Sequence, residues 1–204
     1  MGIIASVPGN IMNLYRGIER ASNLSNVSLT IELITSSAKK DYDILFLPGV
    51  GHFRAGMEKL NENGLVELIN DHVIKKKILV GVCLGMQLLF EESEEAPGVS
   101  GLSLLKGKVI KLKAPRLPHM GWNSVDFLDD FFRDLSKNFF YFVHTYRVDC
   151  ENDCVLGITE YYDEIFPAAV KKENIIGFQF HPEKSHTAGL KLLGRLFEWS
   201  LYRL

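Results

Sequence analysis

The sequence predicts an α/β fold in which helices cover both faces of a mostly parallel central sheet. Three observations lead to this prediction. Apolar runs of strand length alternate with amphipathic helical patterns over the first 90 residues, which is typical of parallel sheets. The apolar run at residues 78–82 passes almost directly into a helical pattern at residues 84–90. A length of 204 residues, of which 47% are hydrophobic, is sufficient for one α/β domain with a large core.

The first half of the chain has patterns that predict the order β-α-β-β-α-β-α. A turn at Pro8-Gly9-Asn10 follows the first strand, and the Asn10 side chain can cap the next helix. The second helical region is broken at Asn63-Gly64. We expect strands at residues 2–7, 27–34, 43–47 and 78–82, and helices at Ile11–Leu24, 55–72 and 84–90, with the strand at 78–82 central.

An acidic loop at residues 91–98 separates this half from a series of shorter strand patterns. These patterns lie at residues 108–112, 122–127, 139–148, 155–161, 168–171 and 175–180. We expect them to be antiparallel strands added to the sheet, followed by an amphipathic helix at residues 189–204. Because the chain has no repeats and no linker, residues 1–204 are expected to form one domain.

Composition and charge exclude several classes of function. A formal net charge of -2 leaves no basic surface for nucleic acid. Three widely spaced cysteines do not form a disulfide framework and suit a reducing cytosol. Cys150 and Cys154 could be half of a metal site, but no second Cys or His pair follows at zinc spacing. We therefore expect no metal, no cofactor and no nucleic-acid partner.

The chain carries no pattern of a membrane protein. No apolar run approaches the roughly 20 residues that a membrane-spanning helix needs. The first residues match a loose myristoylation pattern, but residues 3–7 are better explained as a buried strand, and no positively charged signal segment is present. We expect a soluble, cytoplasmic protein that has no membrane partner.

Cys83 stands where the predicted central strand meets its helix, with Gly81 two residues before it and Gly85 two residues after it. This is the spacing of a nucleophile elbow with cysteine in place of serine, because the tight turn leaves room only for glycine beside the nucleophile. The alternative is a buried core cysteine beside glycines that pack a helix. The strand–turn–helix context favours a nucleophile.

Two further segments could complete a catalytic site around Cys83. His181 and Glu183 follow an apolar strand, and residues two apart point to the same side of an extended chain. The carboxylate can then orient the imidazole, which removes the thiol proton. The segment 48–51, Pro-Gly-Val-Gly, ends the strand expected beside the elbow, and its backbone N–H groups could face an oxyanion. Taken alone, each segment is also compatible with a plain strand end or turn.

Together these motifs resemble those of the class I glutamine amidotransferases, and more narrowly the glutaminase subunit of imidazole glycerol phosphate synthase. The wider resemblance is carried by Pro48-Gly49-Val50-Gly51, Gly81-Val82-Cys83-Leu84-Gly85-Met86-Gln87 and His181-Pro182-Glu183. The narrower one is carried by His52-Phe53, His119-Met120-Gly121-Trp122-Asn123, Tyr141-Phe142-Val143-His144-Thr145-Tyr146 and Lys184-Ser185. The resemblance extends essentially from end to end. It implies a flavodoxin-like three-layer α/β/α fold and hydrolysis of glutamine. It also implies a heterodimer with a (βα)8-barrel cyclase that uses the ammonia in histidine biosynthesis.

The resemblance also implies a role for each residue that matches a motif. Three residues would be catalytic, as nucleophile, base and orienter of the base: Cys83, His181 and Glu183. The oxyanion hole would be formed by Gly49, Val50, Gly51 and the amide of Leu84. The glutamine would be held by Gln87, Glu95, Thr145 and Tyr146, with Glu95 facing its ammonium group. The cyclase would be contacted by Asn10, Trp122, Tyr141 and Lys184.

By residue type alone, other interpretations remain. Trp122 and Tyr141 could be core aromatics, Lys184 an ordinary surface lysine and Glu95 one of several solvated acids. The segment Ser6-Val7-Pro8 departs from the Asp-Tyr-Gly type found ahead of the first Gly-Asn in many members of the family.

Three rival functions fit the motifs less well. Other amidotransferases, such as a pyridoxal phosphate synthase glutaminase or an anthranilate synthase component, do not account for the Lys-Ser after His-Pro-Glu. A DJ-1-like hydrolase or chaperone shares the elbow cysteine but lacks the His-Pro-Glu segment. A non-catalytic binding subunit would not require Cys83, His181 and Glu183 together.

Overall fold

A computed structural model describes residues 1–37 and 40–201 of the chain. In these residues the strands are β1 (Gly2–Ile4), β2 (Glu32–Ile34), β3 (Ile44–Gly49), β4 (Ile78–Cys83), β5 (Glu92–Ser93), β6 (Lys108–Lys111), β7 (His119–Ser124), β8 (Asp126–Phe127), β9 (Phe139–His144), β10 (Tyr146–Asp149), β11 (Val155–Tyr161), β12 (Glu164–Lys172) and β13 (Ile175–Phe178). The helices are α1 (Ile11–Leu24), α2 (Phe53–Glu62), α3 (Leu65–Ile74), α4 (Leu84–Leu88) and α5 (His186–Leu201).

Eight strands form the central sheet in the order β2-β1-β3-β4-β13-β12-β11-β8. The first five strands of this order are parallel, and the last three join antiparallel. One core cluster joins one face of the sheet to α1 and α5, and a second joins the other face to α2, α3 and α4. The predicted three-layer α/β fold with a mostly parallel sheet is therefore confirmed, and β4, which carries the elbow, is central in it.

The second half of the chain differs from the prediction in its sheet membership. Strand β13 lies parallel to β4 rather than antiparallel, and all four of its residues are buried, as both faces of a central parallel strand are. Strands β10, β6 and β5 form a separate sheet, and β7 pairs only with β9. Along β9 buried residues alternate with more exposed ones, because this two-stranded sheet covers the core with one face.

Several element boundaries also differ. Of the strand predicted at residues 27–34, only Glu32–Ile34 forms a strand, because β2 is an edge strand and its neighbour β1 offers three residues for pairing. The break at Asn63-Gly64 is confirmed, with Gly64 at φ +64° between α2 and α3. Helix α5 begins at His186, before the predicted start at residue 189, and the predicted end at residue 204 lies outside the described residues. Within residues 1–37 and 40–201, no helix has the length and apolar character to cross a bilayer.

Candidate active site

The turn at Cys83 has the strained geometry of a nucleophile elbow. Cys83 is the last residue of β4 and has φ +55° and ψ -110°, a conformation that non-glycine residues rarely adopt. A Cβ added at Gly81 would lie 2.8 Å from the backbone nitrogen of Met86. One added at Gly85 would overlap the carbonyl oxygen of Leu47. Both flanking glycines are therefore required by close packing, as predicted.

His181 and Glu183 form a buried pair, although not for the reason that the sequence suggested. The Nδ1 of His181 lies 2.7 Å from the Oε1 of Glu183, and the two side chains are 2% and 3% exposed. The backbone between them is not extended, because Pro182 begins a short 3-10 helix, Pro182–Lys184. Proline suits the first position of a helix, where its missing N–H costs nothing. The pair therefore closes across a turn rather than along a strand.

The charges around His181 favour its protonated form. Burial alone would lower the pKa of the imidazole, but the neighbouring Cys83 sulfur and the Glu183 carboxylate outweigh burial and raise that pKa to about 9. The Nε2 of His181 is buried and has no hydrogen-bond partner among the described residues. This nitrogen is thus available for proton exchange beside the sulfur.

A cavity of about 270 Å³ lies directly at Cys83. Its lining includes most of the residues that the sequence assigned to the oxyanion hole and to glutamine, namely Val50, Gly51, Leu84, Gln87, Glu95, Thr145 and Tyr146. Gly49 does not line it but pairs with Cys83 across the β3–β4 register. The structure therefore brings the predicted nucleophile and the predicted substrate residues to one site.

Gln179 also belongs to this site, and the sequence analysis assigned it no role. The Nε2 of Gln87 donates to the carbonyl oxygen of Tyr146 and to the Oε1 of Gln179, each at 3.0 Å. The Nε2 of Gln179 lies 3.9 Å from the Sγ of Cys83, and Gln179 is fully buried. A polar residue inside the apolar run at residues 175–180 was the available signal, because buried amides require partners.

Two buried histidines, His119 and His144, extend this network, and no sequence motif predicted a role for either of them. The Nδ1 of His144 donates to the carbonyl oxygen of Tyr146 at 2.8 Å, which leaves its Nε2 as an acceptor. The Nδ1 of His119 lies 2.9 Å from that nitrogen and donates to it. Burial lowers the pKa of His119 to about 4 and that of His144 to about 3, so both rings are neutral near pH 7. His144 lies in a predicted strand, but His119 lies before the strand predicted at residues 122–127, so the sequence offered no direct signal for this pair.

In the segment predicted to form the oxyanion hole, residues 48–51, not every backbone N–H points into the cavity. The backbone N–H of Val50 donates to the carbonyl oxygen of Pro8 at 2.7 Å, so this N–H points toward the loop between β1 and α1. Gly51 has φ +100°, which favours glycine. The amide of Leu84 begins α4, and Leu84 lines the cavity. The segment Ser6-Val7-Pro8 is therefore in direct contact with the oxyanion strand.

Glu95 is a fixed, half-buried carboxylate rather than a freely solvated one. Its Oε2 accepts a hydrogen bond from the backbone N–H of Phe53 at 2.8 Å, at the start of α2. Carboxylates stabilise the beginning of a helix because unpaired N–H groups and the positive end of the dipole lie there. Glu95 therefore lines the cavity in a defined position.

Three of the four residues predicted to contact a cyclase lie together at the surface. Trp122 is 46% exposed, and its ring lies 5.9 Å from that of Tyr141 and stacks on His186 at 5.0 Å. The Nζ of Lys184 lies 5.4 Å from the centre of the Tyr141 ring. Trp122 is therefore not a core aromatic. Asn10 stands at the start of α1, but its side chain makes no capping hydrogen bond there, so the predicted cap is wrong.

Comparison with known proteins agrees with this geometry. The family model of the class I glutamine amidotransferases matches residues 4–198. The chain is 59% identical over 204 residues to the imidazole glycerol phosphate synthase subunit HisH of Thermotoga maritima, covering 100% of this chain and 98% of that protein. It is 42% identical over 202 residues to HisH of Methanocaldococcus jannaschii, and this match covers 97% of this chain and 98% of that protein.

A solved glutamine amidotransferase structure matches 98% of this chain and 96% of its own, with a TM-score of 0.75 and 18% sequence identity. At this identity the match supports the fold alone. The chain thus belongs to the class I glutamine amidotransferase family and, within it, to the HisH subunits of imidazole glycerol phosphate synthase.

Proposed function

We propose that the protein hydrolyses glutamine to glutamate and ammonia and delivers the ammonia to a (βα)8-barrel cyclase, which makes imidazole glycerol phosphate in histidine biosynthesis. The observation that supports this most is the meeting of an elbow cysteine, a buried His–Glu pair and a cavity at one place. The 59% identity to a HisH subunit supports the choice of reaction.

In this reaction the Sγ of Cys83 adds to the side-chain amide carbon of glutamine. The proton passes through His181 to the departing nitrogen, which leaves as ammonia, and a thioester remains on the sulfur. Water then cleaves the thioester to glutamate, with His181 as general base. Glu183 holds the imidazole in place and stabilises its cation, since the two side chains are hydrogen-bonded at 2.7 Å.

The glutamine is bound in the cavity at Cys83. Glu95 provides the negative charge for its ammonium group, and Gln87, Thr145 and Tyr146, which line the same cavity, provide polar contacts. Gln87 is supported by its hydrogen bonds to Tyr146 and Gln179, which fix the orientation of its amide.

The oxyanion hole is completed when the cyclase binds. We propose that the peptide before Val50 then rotates, releases Pro8 and directs its N–H toward the developing oxyanion, beside the amide of Leu84. One such donor typically contributes about 10²–10³-fold in rate. The surface formed by Trp122, Tyr141 and Lys184, with Asn10, faces the cyclase. This surface is linked to the base, because the backbone N–H of His181 donates to the backbone carbonyl oxygen of Tyr141 at 2.9 Å.

A half-reaction assay tests the proposed function. With its cyclase partner, the parent protein is expected to release glutamate from glutamine and to support product formation. Cys83→Ala is expected to abolish the glutamine-dependent reaction, because neither Cys150 nor Cys154 lines the cavity. The same variant complex should still form product from added ammonium salt, which serves as the control for folding and assembly. Glutamine-dependent turnover of the variant at the parental rate would overturn the assignment.

A further inference from the structure

Cys150 and Cys154 form a pair of thiols that the proposed glutaminase reaction does not use. Their sulfur atoms lie 2.8 Å apart, and both cysteines are free. Cys150 directly follows β10, and Cys154 ends the 3-10 helix Asn152–Cys154 that leads into β11. Within residues 1–37 and 40–201 no group of three His, Cys, Asp or Glu side chains could hold a metal ion. Because the two sulfurs are in contact, the pair is open to covalent chemistry between them.

The fold holds the inner sulfur in place. Cys154 is 4% exposed and belongs to the core cluster that also contains Val109 and Val148. Its Sγ contacts the carbonyl oxygen of Glu151 at 3.2 Å, which fixes the side-chain rotamer. A disulfide bond has an S–S length of about 2.05 Å, so each sulfur has to move by less than about 1 Å to form one.

The outer sulfur is accessible to small molecules. Cys150 is only half-buried and lines an open cavity of about 670 Å³ together with Glu91, Lys106 and Gly107. A Cβ added at Gly107 would lie 2.4 Å from the carbonyl oxygen of Asp149, so close packing requires the glycine beside Asp149 and Cys150. The pair therefore combines one reachable sulfur with one fixed in the core.

The charges assign different chemical roles to the two sulfurs. The hydrogen bond with Cys150 lowers the pKa of Cys154, and Lys172 acts in the same direction. The same hydrogen bond, together with burial, raises the pKa of Cys150. Because Lys172 still acts on Cys154 after Cys150 has reacted, it favours the Cys154 thiolate in a second step, and a thiolate is the species that attacks a disulfide.

We propose that Cys150 and Cys154 are a reversible modification site that reacts with low-molecular-weight disulfides and closes to an intramolecular disulfide. In the first step the Cys150 sulfur loses its proton and attacks the reagent RSSR, which gives a mixed disulfide and one RSH. In the second step the Cys154 thiolate attacks the Cys150 sulfur and displaces the second RS group, which leaves as RSH. The two cysteines are oxidised and RSSR is reduced to two thiols, so no other oxidant is needed.

Hydroxyethyl disulfide and intact-mass measurement test this proposal in the full-length Cys83→Ser variant, in which Cys150 and Cys154 are the remaining thiols. The folded protein is expected to lose two hydrogen atoms and to accumulate no adduct. The matched Cys83→Ser, Cys154→Ser variant is expected to keep a stable hydroxyethylthio adduct on Cys150, because nothing displaces it. Stable adducts on the protein that retains both cysteines, or an unreacted pair under conditions that label the matched variant, would overturn the proposal.

A second measurement separates the folded geometry from the short spacing in the sequence. The thiol–disulfide equilibrium of the pair is measured against a dithiothreitol buffer in the folded protein and in urea. Because the fold holds the sulfurs together, the disulfide should be favoured at least about tenfold more in the folded protein than in the unfolded chain. An equal or smaller preference in the folded protein would show that the structure does not create the site.

Discussion

The nucleophile elbow at Cys83 and the oxyanion strand, by which we mean the proposed oxyanion segment at residues 48–51, lie side by side, with Gly49 paired to Cys83. They differ in how firmly they are held. At the elbow a Cβ on Gly85 would overlap the carbonyl oxygen of Leu47. At Gly51 an added Cβ would meet no heavy atom of the described residues within 4 Å. Packing thus fixes the nucleophile, whereas the oxyanion strand is free of close packing at that position.

This difference indicates which part of the site a partner can control. The orientation of the Val50 N–H toward the first loop is held by its hydrogen bond to Pro8. One such bond contributes about 0.5–1.5 kcal/mol net, which contacts with a partner can readily outweigh. The His181–Glu183 pair is buried and hydrogen-bonded without any partner, so it needs no rearrangement.

The largest effect is expected from breaking the preassembled part of the site. Glu183→Gln should lower glutamine turnover by about 10²–10⁴-fold, because the imidazole loses the group that orients it and stabilises its cation. Glutamine affinity should be nearly unchanged, since Glu183 does not line the substrate cavity. Steady-state kinetics of the liganded complex measure both quantities. Turnover at the parental rate would make the carboxylate structural only.

A smaller effect, of opposite sign, is expected at the movable part. Gly51→Ala should raise the activity of the isolated subunit, because an L side chain is strained at φ +100° and this strain destabilises the resting conformation of residues 49–51, in which the Val50 N–H donates to Pro8. A strain of about 1 kcal/mol corresponds to an increase of roughly fivefold. Glutaminase activity without the cyclase is the measurement.

Gly98→Ala is the matched control for Gly51→Ala. Gly98 also has a positive φ, +77°, and an added Cβ there would likewise meet no heavy atom of the described residues within 4 Å. If both substitutions raise the glutaminase activity of the isolated subunit equally, a general loss of stability, and not the Val50 peptide, causes the increase.

A separate effect, on stability rather than on turnover, concerns the histidines of the site, whose pKa values are displaced in opposite directions. The pKa of His119 is lowered to about 4 and that of His144 to about 3, against about 6.5 in an unfolded chain. Below pH 6.5 the unfolded state therefore binds more protons, so these two groups reduce stability as the pH falls toward 4. His181, with its pKa raised to about 9, contributes stability below pH 6.5 that is lost as the pH rises through 9.

Urea unfolding of His119→Gln between pH 4 and pH 7 tests this assignment. The free energy of unfolding of the variant should fall less steeply toward acid than that of the parent, because one group that charges on unfolding has been removed. Parallel curves for parent and variant would contradict it.

The sequence predicted the elbow well because the chemistry requires glycines at fixed positions. It predicted the pairing of His181 and Glu183 from their spacing, but not the turn at Pro182 that produces the contact. The direction of the Val50 N–H is not encoded in any residue type, because it is set by a hydrogen bond to Pro8, a partner distant in the chain. Gln179 and the His119–His144 pair acquire their roles only from partners distant in the chain, which a linear pattern does not reveal.

The most direct test of the account is the glutaminase activity of the parent protein alone and in complex with a cyclase that carries its nucleotide ligand. Because the proposed base and its carboxylate are already paired and the proposed oxyanion donor at Val50 is turned away, we predict an increase in turnover of about 10²–10³-fold in the complex. An isolated subunit that hydrolyses glutamine as fast as the liganded complex would contradict the proposed role of the Val50 peptide, while leaving the assignment of Cys83, His181 and Glu183 intact.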